Sequence, residues 1–119
     1  MNLTPPRRKP TVAGVVCHRD GTATVVVLDT AGVRAALART RLSQIRHLLL
    51  TERPDFAVAA GRPPWIRMLA LRTERPAPSI RPARLSRVPE LRRFLGTPDA
   101  RAVARSLAIA HSVLNRSSA

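Results

Sequence analysis

Apolar positions along this 119-residue chain change period several times, and each change predicts an element. Residues 11–17 and 22–28 are β-branched runs, and His18-Arg19-Asp20-Gly21 between them carries the Asp-Gly pair that tight hairpins prefer. A second turn signal, Asp29-Thr30-Ala31-Gly32, leads into a short third strand over 33–37, completing a β-meander. From Thr40 the spacing becomes helical: Leu42, Ile45, Leu48 and Leu49 recur on one face, with Arg41, Gln44, Arg46 and His47 between them. Pro54 ends that helix, and Phe56-Ala57-Val58-Ala59-Ala60 reads as a central strand joined by a parallel crossover to the meander.

The second half is less regular. Gly61-Arg62-Pro63-Pro64 opens a helix from Trp65 to about Leu71, with Ile66, Met68 and Leu69 facing inward. Residues 73–89 are interrupted by Pro76, Pro78, Pro82 and Pro89, leaving room only for a brief edge strand at 79–81. A short helix follows at 90–95. Gly96 is a stop, Thr97 an N-cap, Pro98 suits the first helical position, and Asp99 favours the positive helix end. Val103, Leu107, Ala110 and Leu114 then mark the apolar face of a closing helix. The pattern divides the chain into a basic arm (1–10), one domain (11–115) and a tail (116–119).

Charge changes the picture more than size does. The chain carries 21 Lys and Arg against 7 acids, a formal +14, and Lys9 is its one lysine. Arginine grips phosphate oxygens in pairs and stacks on bases, and charge this lopsided repels itself unless a polyanion neutralises it. The expected partner is therefore DNA or RNA, in free form or as a ribonucleoprotein. Arg62, Arg67, Arg72, Arg75, Arg81, Arg84 and Arg87 are spaced along the proline-rich stretch and form the expected backbone-tracking set. Trp65 could stack on a base but is better explained by core packing. Apolar runs fall short of the ~20 residues a bilayer crossing needs, so no membrane partner is expected. No secretory leader is visible, which favours a cytoplasmic or nucleoid-associated protein, although acid-free Arg7-Arg8-Lys9 also fits organellar import.

Three segments resemble the RuvC/YqgF-like RNase H superfamily. Val12-Ala13-Gly14-Val15-Val16 looks like its first strand, Arg41 to Val58 like its first helix and fourth strand, and Asp99 to His111 like its closing helix. Cys17-His18-Arg19-Asp20, Val27 to Gly32 and Asp99 to Arg105 are similar to phrases in the RuvC-like domain of DEDD transposases. Phe56 to Gly61 and Ser106 to His111 are similar to the YqgF-like module of Tex-type transcription factors. The resemblance implies an α/β fold: an RNase H-like mixed sheet, a three-stranded meander plus parallel strands, with flanking helices.

The same resemblance implies two Mg²⁺ ions held by carboxylates from the first strand, the fourth strand and the closing helix. Here those positions are Val16, the Ala59-Ala60-Gly61 strand end, and Asp99, the one remnant, which helix capping can also explain. The expectation is a catalytically degenerate, resolvase-like domain that needs no cofactor; Mg²⁺ would enter only if the chain were catalytic. Asp20 and Asp29 read as turn residues, Glu52, Asp55, Glu74 and Glu90 as surface acids, and Cys17 as a small buried residue. Two alternatives stand beside non-catalytic binding: a divergent metal-dependent nuclease or transposase fragment, and a module that docks on a protein partner or a second copy.

Overall fold

A computed structural model describes residues 10–60, 72–73 and 82–117. The elements are β1 (Val12–Cys17), β2 (Ala23–Asp29), β3 (Gly32–Thr40), α1 (Leu42–Glu52), β4 (Phe56–Ala60), β5 (Arg72–Thr73) and α2 (Ala100–Ser117). Between β5 and α2 the chain makes two 3-10 segments, Pro82–Arg87 and Pro89–Phe94. The protein is thus a mixed α/β fold.

The strands form one sheet in the order β3-β2-β1-β4-β5. β2 is antiparallel to both neighbours, whereas β4 is parallel to β1 and β5 to β4. The meander and the parallel crossover therefore form as the alternating pattern predicts. Asp20 closes the β1–β2 hairpin by accepting from the Thr22 amide (3.0 Å) and hydroxyl (2.6 Å), and Gly21 takes the positive φ the turn needs.

Alternation sends each strand's side chains to opposite faces. Val12, Val16, Val26, Leu28 and Val58 meet Val103, Leu107, Ala110 and Leu114 of α2 in one core. Ala13, Val15, Val25, Val27 and Ala59 join Ile45 in the other, with Leu48 and Leu49 partly buried beside it. Contact between α2 and β1 is backbone-close: a Cβ placed on Gly14 would lie 2.2 Å from the Ser106 carbonyl oxygen and 2.9 Å from the Ala110 nitrogen. Ser106 Oγ, fully buried, donates to the Thr24 carbonyl at 3.0 Å and fixes the helix over the sheet.

Four boundaries differ from the sequence expectation. β3 runs nine residues rather than the five over 33–37, because pairing with β2 rewards extending past a bulge. Residues 89–94 form a 3-10 segment instead of an α-helix. Thr97 does not cap α2, since its hydroxyl turns back to the Phe94 carbonyl; Asp99 holds the N-cap place, its carbonyl accepting from the Val103 amide at 3.0 Å. Pro98 consequently precedes the helix. At the other end α2 continues through Ser117, beyond the expected limit at 115. The arm at 1–9, the helix at 65–71 and the edge strand at 79–81 lie outside the described residues; among these, β5 at Arg72–Thr73 supplies the edge.

Candidate nucleic-acid interface

Register places Cys17, Ala23 and Thr40 at one level of the sheet, with Val16, Thr24 and Ala60 one residue below. This level is the carboxyl end of the parallel strands, where open α/β sheets collect their ligands. α1 starts there, directly after Thr40, with Arg41 at its N-cap. α2 starts there as well, because Asp99 accepts from Arg39 Nε at 2.8 Å. Hairpin, strand end and two helix starts thus converge on one face.

Charge is divided unequally between the two ends. Among the described residues, Arg19, Arg39, Arg41, Arg101 and Arg105 stand at the carboxyl end with two carboxylates, Asp20 and Asp99, and both pair with Arg39. Arg101 and Arg105 are exposed one turn apart on α2, about 6 Å along its axis. At the opposite end Arg34, Arg53 and Arg116 are matched by Asp29, Glu52 and Asp55. Arg34 bridges Asp29 (3.2 Å) and Glu52 (3.1 Å). Asp55 instead accepts from the Thr11 amide at 2.9 Å. Glu52 thereby pairs across the fold rather than with its sequence neighbour Arg53.

At the carboxyl end the central hydroxyl belongs to Thr24, which is fully buried. Thr24 Oγ1 accepts the Arg39 amide at 3.1 Å and lies 2.8 Å from His18 Nε2. Burial lowers the pKa of His18 and the Arg39 charge lowers it further, against opposing pulls from Asp20 and Asp99. Bonds from the Thr22 hydroxyl and amide hold the Asp20 carboxyl below its usual range. For Asp29 burial acts upward, but the Ala31 amide, Arg34 and the Gly32 amide outweigh it and leave that carboxyl low too. Cys17 belongs to the opposite sheet face, and burial pushes its thiol up to about 11, which removes it as a nucleophile near neutral pH.

Of the arginines expected from sequence, Arg62, Arg67, Arg75 and Arg81 lie outside the described residues, as do Trp65 and Glu74. Arg72 falls in β5, Arg84 and Arg87 in the 82–87 segment, and Arg87 is exposed. Arg92 and Arg93 hold structure: Arg92 donates to the Ser86 carbonyl (2.8 Å), and Arg93 to the Ala36 carbonyl (3.0 Å) while sitting 4.7 Å above the Phe94 ring. Arg19, Arg41, Arg101 and Arg105 were not singled out by sequence, because only strand register reveals that they share an end.

The positions where the RNase H resemblance implies carboxylates are also placed. Val16 is 5% exposed in the α2-side core, level with Thr24 and Ala60, and Asp99 already serves Arg39. An aliphatic core residue and an alanine offer a hard cation no oxygen, so this set does not fit Mg²⁺. Among the described residues no three His, Cys, Asp or Glu side chains come together as a metal-binding group.

Comparison with known proteins finds no matching family model, no similar curated protein and no similar solved structure. Fold and surface together define a mixed α/β protein whose described residues give one basic and one charge-balanced sheet end. No helix among the described residues is long and apolar enough to cross a membrane.

Proposed function

We propose that this protein is a non-catalytic nucleic-acid-binding domain of RNase H-like, RuvC/YqgF type, binding through arginine–phosphate contacts at the carboxyl end of its sheet. The observation that carries the reading is the charge asymmetry: among the described residues, arginine outnumbers carboxylate at the one end where parallel strands terminate and α1 and α2 begin. Support for the fold type comes from the strand order, with β2 alone antiparallel, and from a closing helix seated on β1. Support for lost catalysis comes from Val16 and Ala60 at two of the three positions where such enzymes carry metal-binding carboxylates.

Binding of this kind is dominated by counterion release and reads sequence weakly. The test is fluorescence anisotropy with labelled single-stranded, duplex and branched DNA and RNA across a salt series, with Mg²⁺ or EDTA. Neutralising Arg101 and Arg105 to glutamine should weaken binding to every probe and flatten the log–log salt slope by roughly 2. Arg53→Gln, at the balanced end, should leave both unchanged. No salt-sensitive binding by the unaltered protein sinks the proposal; Mg²⁺-dependent cleavage would replace it with the nuclease alternative.

A further inference from the structure

Two arginines of β3 each grip two carboxylates, yet they are mounted differently. Arg34, the extra residue of a second bulge where β3 steps from Ala35 to Val33 against Val27 and Leu28, makes its bonds to Asp29 and Glu52 without leaving the ordinary φ range. Arg39 stands in the left-handed region, at φ +45°. Register explains how: Ala23 pairs with Thr40 and Val25 with Leu37, so β3 spends one residue more than β2 over this span. That extra residue is a bulge, a device that re-aims a side chain at the cost of local strain. Arg34 demonstrates that pairing with two carboxylates, even from a bulge, requires no left-handed backbone. The strained mount at Arg39 therefore needs a different reason.

The surroundings supply one. The bulge is pinned by the buried Thr24 hydroxyl, which accepts the Arg39 amide. Asp99, brought from a distant part of the chain, holds the guanidinium at Nε (2.8 Å), and Asp20 stands 3.9 Å from NH1, an ion-pair distance longer than a hydrogen bond. Its NH2 has no acid partner among the described residues, and 48% of the side chain remains exposed. Arg19, Arg41, Arg101 and Arg105 stand at the same end of the sheet. A planar fork fixed at Nε keeps its terminal donors available, and its ordering entropy is spent before a ligand arrives.

We infer that Arg39 is the preset phosphate anchor of the nucleic-acid site: Asp99 orients its guanidinium through Nε, and the NH1–NH2 end of the fork takes a backbone phosphate. This rests on the proposed function. Neighbouring arginines contribute a diffuse field in which charge alone matters. At Arg39 the fork geometry matters too.

Anisotropy with a labelled single-stranded oligodeoxynucleotide and its duplex tests the distinction. Arg39→Lys keeps the charge and loses the fork, and should bind about tenfold more weakly with an unchanged salt slope. Arg101→Lys should bind like the unaltered protein. Arg39→Gly suits the left-handed backbone, so it should melt close to the unaltered protein while losing at least as much affinity as the lysine variant. An Arg39→Lys protein that binds as tightly as the original overturns the anchor and leaves the wider reading standing. Failure of the original protein to bind either probe overturns both.

Discussion

Replacing Gly14 by alanine tests the packing of the closing helix directly. The new Cβ would stand 2.2 Å from the Ser106 carbonyl oxygen and 2.9 Å from the Ala110 nitrogen, both backbone atoms of α2. Comfortable carbon–oxygen contact is about 3.3 Å, so helix or strand must yield by roughly 1 Å. Overpacking of this sort costs about 1–3 kcal/mol. The same displacement stretches the buried bond from Ser106 Oγ to the Thr24 carbonyl, which adds about 1–3 kcal/mol if its partners are left unpaired. A less flexible unfolded chain returns only about 0.4–1 kcal/mol. The expected net loss is about 3 kcal/mol, a large share of the ~5–15 kcal/mol that holds a domain together. Urea unfolding followed by circular dichroism measures it, with a melting temperature lowered by ~12 °C or more. Because Asp99 moves with α2, its bond to Arg39 should weaken as well. A Gly14→Ala protein within about 0.5 kcal/mol of the original would refute the claim that α2 rests on bare backbone at β1.

Two titrations probe the sheet's opposite faces. His18 should titrate below the usual 6.5 in an NMR series; because its folded pKa is lowered, its contribution to stability is full above about 6.5 and is lost as pH falls through the folded value. A midpoint above 6.5 would contradict the arrangement around Thr24. With its thiol raised to about 11, Cys17 should react with a disulfide reagent at pH 8 roughly tenfold more slowly in the native than in the unfolded protein. That figure sets the smaller thiolate fraction against the greater nucleophilicity of a more basic thiolate. Equal rates would show that Cys17 is not shielded.

Sequence alone determined the alternation of elements. The β-branched runs, the Asp20-Gly21 turn, the helical spacing after Thr40 and the apolar face of the closing helix are local signals, and backbone sterics read them over a few residues. The strong positive charge was equally legible. Length of β3 and the true start of α2 were not legible, since each depends on a partner distant in the chain: β2 for the strand, and Arg39 for Asp99 sixty residues away. Tertiary structure alone decided where the charge acts. Strand register brings Arg19, Arg39, Arg41, Arg101 and Arg105 to one end and sends Asp29, Glu52 and Asp55 to the other. A linear sequence fixes the sum of its charges, but the potential a ligand meets depends on the distances between them, and only folding sets those.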